Sequence, residues 1–157
     1  MSIPVRRANA LFHDTWLPDE TRRIRAEVRE FAESVLRPQA HRLNTTPESV
    51  DSFPRDIFDA MAQAGLYQIP FSADVGGRGL EFPTLATLTV LEELAYFAAG
   101  VASALYDGQA ILVGKTLEQA PEPLRSKYLP QLVHGGLVGS FATSEPEAST
   151  DLSAATM

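Results

Sequence analysis

Apolar positions Leu17, Ile24, Val28, Phe31 and Val35 recur at steps of seven, four, three and four, which puts them on one stripe of a helix. Pro18 suits the first turn, Asp19 and Glu20 lie near the positive end of the dipole, and Pro38 reads as the stop. His41 to Ser52 is polar and turn-rich. Ile57, Phe58, Met61 and Ala64 predict a second, short helix, opened by Pro54 and closed by Gly65 as a C′ glycine. Leu66 to Phe71 is an apolar connector, and Asp74-Val75-Gly76-Gly77-Arg78-Gly79 follows as a glycine loop. A third helix opens at Pro83 and carries Leu85, Leu88, Leu91, Glu92 and Leu94. A fourth runs from Val101 to Leu117 through Leu105, Ile111, Leu112 and Val113, and a fifth from Pro123 to Val133 through Leu124, Tyr128, Leu129 and Leu132. Five successive helices with short connections predict a mainly α helical bundle over residues 1–134.

The pattern changes at Gly135-Gly136. Leu137 to Thr143 has strand composition, Ser144 to Thr150 is polar and turn-forming, and the segment 135–157 reads as the start of a β domain. One strand cannot satisfy its ladder alone, so either another chain pairs with it or the sequence is the front portion of a longer polypeptide.

Composition narrows the classes. A chain of 157 residues with 45% hydrophobic positions can bury a core and is too apolar for disorder. With no cysteine, disulfide frameworks, thiolate metal sites and cysteine nucleophiles are excluded. A net charge of −7 weighs against nucleic-acid binding, which draws on Lys and Arg. The one basic cluster, Arg22, Arg23, Arg25 and Arg29, is interleaved with Glu20, Glu27 and Glu30 and reads as a solvated helix face with i,i+3 and i,i+4 pairs. No apolar run approaches the roughly 20 residues that span a bilayer, and no apolar segment follows Arg6 and Arg7 as in a signal peptide. A soluble, cytoplasmic protein is the expectation.

Candidate chemistry is sparse. The glycine loop could cradle phosphate through its backbone, but it matches neither a Walker A loop nor GxGxxG, and a tight turn between helices is the favoured reading. His13, His41 and His134 are scattered, without metal-ligand spacing. Glu92 and Glu93 sit on a leucine-rich helix that can partly bury one of them, and they read as an exposed or capped pair rather than an acid/base couple. The segment Phe141-Ala142-Thr143-Ser144-Glu145-Pro146-Glu147-Ala148-Ser149-Thr150-Asp151 offers backbone N–H and hydroxyl donors to an acceptor-rich ligand, and serves equally as a polar turn.

That segment resembles the flavin-holding strand edge of the acyl-CoA dehydrogenases, (Y/F)-x-(L/V/M)-(T/S)-E-P-x-x-G-S-D. Upstream, Phe31-Ala32-Glu33, Phe53-Pro54-Arg55, Ala64-Gly65-Leu66, Val75-Gly76-Gly77-Arg78-Gly79-Leu80, Val90-Leu91-Glu92-Glu93-Leu94-Ala95 and Lys127-Tyr128-Leu129-Pro130 follow in the family's order. The resemblance implies an all-α N-terminal domain, here 1–134, followed by the opening of a β domain, here 135–157, with FAD as cofactor and an acyl-CoA as substrate. In this family a carboxylate takes the α proton of the thioester while the β hydrogen leaves as hydride to the flavin. That carboxylate normally lies in a C-terminal domain, so no catalytic residue is assigned and the segment is expected to be inactive by itself.

Carried over by motif, Phe141, Thr143, Ser144 and Thr150 are the implied cofactor contacts. Thr150 also meets the substrate's CoA portion, and Leu105 and Tyr106 line the acyl pocket. The implied partners are related subunits in a homo- or hetero-oligomer and an electron-accepting flavoprotein. Thr143 replaces an aliphatic residue, Glu147 a common glycine and Ser149 a more constant one. These departures suit an alternative reading: a non-catalytic partner subunit with a degenerate flavin site. Acyl-CoA oxidases and flavin monooxygenases on the same scaffold form a third.

Overall fold

The computed structural model describes residues 14–146 together with Asp151, Ser153 and Ala155. Six main helices make up this part: α1 (Asp19–Phe31), α2 (Ala40–Thr45), α3 (Arg55–Gln63), α4 (Pro83–Ala95), α5 (Val101–Lys115) and α6 (Leu124–Val133). They correspond to the five helices predicted from periodicity, with α2 as an addition. None of the helices is long and apolar enough to cross a membrane.

The first helix does not stop at Pro38. Its rod runs on through a π turn (Ala32–Leu36) and a 3-10 turn (Arg37–Gln39) into α2. Proline removes one N–H and crowds the carbonyl four residues back, and a wide turn followed by a tight one shifts the bonding register around that gap. The apolar stripe therefore continues, with Ile24, Val28, Ala32, Leu36 and Ala40 all buried.

Helix α1 packs along α4, which turns Ala86, Val90 and Leu94 inward. Helix α3 buries Ile57, Phe58 and Met61 and ends at Gly65, whose φ of 66° is a left-handed conformation that a Cβ disfavours. The connector beyond it is core rather than surface, since Leu66, Tyr67, Ile69 and Phe71 are fully enclosed. Each side chain of that size contributes about 1.5–3 kcal/mol of hydrophobic free energy when withdrawn from water. Helix α5 has π geometry along its length, continues into the short Thr116–Glu118 turn, and lies between α4 and α6.

The residues expected to form a strand, Leu137 to Thr143, carry no ladder, and there is no strand among the described residues. A strand is defined by its neighbour, and the backbone bonds made by this stretch go instead to a side chain of α5.

Candidate functional site

Two regions of the sequence promised ligand chemistry, and the structure treats them differently. In the glycine loop every backbone amide from Val75 to Gly79 is already used. Gly76 N–H donates to Ala73 O at 3.1 Å, Gly77 to Ser72 O at 2.9 Å, Arg78 to Gln68 O at 2.9 Å and Gly79 to Phe71 O at 3.0 Å. Gly76 and Gly79 have φ of 87° and 62°, and a Cβ on Gly77 would run into the Phe71 carbonyl. The loop is a tight turn, as favoured, with the amides of its glycines and of Arg78 bonded within the fold. Its arginine faces inward: Arg78 bonds Ala64 O at 2.8 Å, Gly65 O at 3.2 Å and both oxygens of Glu27 at 2.6 and 2.8 Å.

The basic cluster on α1 is a solvated face only in part: Arg22 and Arg23 are exposed, and Arg25 and Arg29 are not. Arg22 does pair with Asp19 along the helix, but Arg25 and Arg29 cross to α4. Arg29 Nη2 and Nε reach the two Glu93 oxygens at 2.8 and 3.1 Å, a bidentate grip, while Arg25 meets Glu93 at 3.3 Å and Glu92 at 2.7 Å. One of the two glutamates was expected to be partly buried, and Glu93 is that one, enclosed completely between these guanidinium groups. The hydrogen bond to Glu93 raises the Arg29 pKa further, against the opposing effect of burial. Glu20 accepts from the Glu81 and Phe82 amides, where the chain enters α4. These carboxylates bind the helices together, and none is placed as an acid or base.

The open feature is a cleft of about 660 Å³ between α5 and the chain linking α2 to α3. Val101, Leu105, Phe58, Phe53 and Val138 supply its apolar wall, and Arg42, Asn44, Ser49 and Ser52 give it a polar rim. Arg42 is held by Asp56 at 2.6 Å, and the Asn44 amide bonds Ala40 O at 2.6 Å and Phe97 O at 2.8 Å. Leu105 thus stands on a cleft wall. Tyr106, one step round the helix, is fully buried against Tyr67 at 6.4 Å between ring centroids. Its hydroxyl makes no hydrogen bond among the described residues; the Thr87 hydroxyl beside it donates to Pro83 O instead. Burial pushes both phenols, Tyr67 and Tyr106, far above their ordinary range.

The chain leaves α6 through Gly135, at φ 72°, and passes the cleft at Val138 and Gly139. Phe141 and Ser144 are exposed and Thr143 half-buried, close in sequence to the cleft wall. Their amides and hydroxyls make no hydrogen bond with another described residue. Thr150, Glu147 and Ser149 lie outside the described residues. The remaining residue here, Gln109, was not singled out from the sequence. It is buried on the cleft-facing side of α5 and bonds the departing chain. Its signal was a lone carboxamide in a stretch, Leu105 to Val113, whose only charged residue is Asp107.

The helical bundle is the part of this arrangement that the comparisons identify. The acyl-CoA dehydrogenase N-terminal domain family matches residues 18–136, and the chain belongs to that family. It is 31% identical over 135 residues to the short-chain specific acyl-CoA dehydrogenase of Clostridium acetobutylicum, covering 86% of this chain and 34% of the relative. The butyryl-CoA dehydrogenase structure from Megasphaera elsdenii superposes with a TM-score of 0.75 at 28% identity, over 90% of this chain and 36% of that one. A chain solved in work on the electron transferring flavoprotein of Acidaminococcus fermentans and flavin-based electron bifurcation gives 0.77 at 30% identity, with the same coverage. The chain therefore spans about a third of the length of these relatives.

Proposed function

We propose that this polypeptide forms the helical front part of an FAD-dependent acyl-CoA dehydrogenase and supplies one wall of the acyl pocket and the first edge of the flavin site. The observation that carries this reading is the adjacency of an apolar cleft on α5 to a segment that matches the family's flavin motif and whose donors bond no other described residue. The helical domain ends at residue 134, and 135–157 opens the β domain.

The residues suit the cofactor. Phe141 offers an aromatic face, and Thr143, Ser144 and their amides offer neutral donors to the electron-rich edge of a flavin. Bound there, FAD would supply the two-electron acceptor for oxidising an acyl thioester. This chain's contribution is to orient and exclude water: Leu105, Val101 and Phe58 shield the acyl portion, and Tyr106, packed on Tyr67, backs that wall from inside. Thr150 meets the CoA portion. Glu93, paired with two arginines, and Glu92, paired with Arg25, are not assigned as the base, which in this family lies in the C-terminal domain. The exposed Val138 and Phe141 favour cover by further polypeptide, in an assembly of related subunits that passes electrons to a flavoprotein partner.

Butyryl-CoA at millimolar concentration is expected to shift the methyl resonances of Val101 and Leu105, and FAD those of the Phe141 to Ser144 amides. Bleaching of the flavin by the 157-residue chain is not expected. Silence at Leu105 and Val101 overturns the acyl-pocket reading, and turnover overturns the inference that the base lies elsewhere.

A further inference from the structure

We propose that Gln109 is a positioning residue: its carboxamide stands in for a neighbouring β-strand and fixes the register of the segment that leads into Phe141–Ser144. Its Nε2 donates to Leu137 O at 2.7 Å and to Leu132 O at 3.1 Å, and its Oε1 accepts from Gly139 N–H at 2.7 Å. Taking the C=O of one residue and the N–H two residues on is what the backbone of an adjacent parallel strand does. The side chain of α5 thus provides the bonds that no strand provides among the described residues. Both amide protons are used, so the group is satisfied although only 2% exposed. An amide withdrawn from water without such partners costs several kcal/mol, of order 2–7, which ties its presence in an apolar helix to these bonds.

A second observation places the segment tightly on the same face. A Cβ on Gly139 would come within 2.9 Å of Val113 Cγ1, and Val113 lies one turn beyond Gln109. The chain is held between the carboxamide and this valine. A slip of one residue would exchange the two faces of an extended segment and turn Phe141 and Thr143 away together. Gln109 also lines the cleft beside Leu105, so a single side chain joins the pocket wall to the flavin edge. That last link rests on the function proposed above; the hydrogen-bonded register does not.

Amide exchange followed by NMR on the 157-residue chain tests the register. The Gly139 amide and the Gln109 carboxamide protons are expected to exchange slowly. Gln109→Leu should accelerate Gly139 by roughly tenfold and leave Val90 and Leu94 in α4 unchanged. Should that variant fail to fold, the wild-type carboxamide decides: exchange at the rate of a free amide overturns the proposal. Gln109→Glu separates positioning from packing. Near pH 8 its carboxylate opposes the carbonyls of Leu132 and Leu137 and opens the segment; near pH 5 the regained proton restores one donor and closes it. The charged side chains lining the same cleft are Arg42, bound to Asp56, and Glu48. A protection factor at Gly139 that is the same at both pH values in Gln109→Glu, or unchanged in Gln109→Leu, overturns the proposal. Butyryl-CoA provides the separate arm. A response at Leu105 that reaches Gly139 in the wild type but not in Gln109→Leu supports the link to the pocket, and a response that reaches Gly139 in both overturns it. No response at Leu105 in either sinks the acyl-CoA reading and leaves the register to the exchange data.

Discussion

The α1–α4 face with its glycine loop and the chain edge beyond Gly139 are both rich in polar groups, and they differ in how far the described residues already bond those groups. On the first, the Gly76 to Gly79 amides, Arg78, Arg25, Arg29 and Glu93 are bonded to one another or to nearby backbone. On the second, the donors of Phe141 to Ser144 bond no other described residue and follow directly on the wall of an apolar cleft. Glycines and charges in sequence therefore point to a site only when the fold leaves their hydrogen-bonding capacity free.

The largest test of that contrast is Glu93→Ala. It leaves two guanidinium groups facing a buried gap, and removing one member of a buried ion pair costs about 3–5 kcal/mol. Urea unfolding should register that loss in full. A loss under about 1 kcal/mol would mean that water replaces the carboxylate and that the face is not closed. Gly77→Ala comes next. Its Cβ would overlap the Phe71 backbone, which cannot rotate away as a side chain can. Overpacking of this kind costs about 1–3 kcal/mol. The variant should lower the urea midpoint without altering any response of Leu105 to butyryl-CoA.

What the sequence made legible was local. The apolar spacing located α1, α3, α4, α5 and α6, and Gly65 and Pro83 marked ends that the backbone adopts. The ordered motifs identified the family on which the domain comparison agrees. Partners distant along the chain were illegible. Arg25 and Arg29 stand at i,i+3 and i,i+4 spacings that suit intrahelical pairs, and only the packing of α1 on α4 brings Glu93, 64 residues beyond Arg29, within reach. Pro38 followed the local rule for a stop, and the continuous buried stripe from Leu36 to Ala40 overrode it. Gln109 was missed because no spacing rule links a mid-helix amide to a segment 28 residues later.

Between the two regions lie the buried phenols of Tyr67 and Tyr106, and they give the fold an alkaline limit. Burial raises both pKa values in the folded chain, whereas the unfolded chain ionises near pH 10. Above that pH the unfolded state holds fewer protons, so stability, full below pH 10, falls as pH rises. At pH 11 the loss is about 1.4 kcal/mol for each tyrosine. Tyr106→Phe should remove its share of the slope between pH 10 and 11 in urea titrations, and an unchanged slope would show that this phenol ionises in the folded protein.

The smallest effect on stability belongs to the open edge, and its smallness is the point. Ser144 is exposed and its hydroxyl bonds no other described residue, so Ser144→Ala should change unfolding free energy by no more than about 0.5 kcal/mol. The same variant removes a neutral donor from the proposed flavin contact, where one hydrogen bond is worth about 0.5–1.5 kcal/mol. FAD titrations followed through the Phe141 and Thr143 amides should therefore weaken by roughly threefold to tenfold while the urea midpoint stays fixed. The reverse pattern, with lower stability and unaltered FAD response, would make Ser144 a structural hydroxyl and transfer the edge of the molecule to the closed class typified by Gly77.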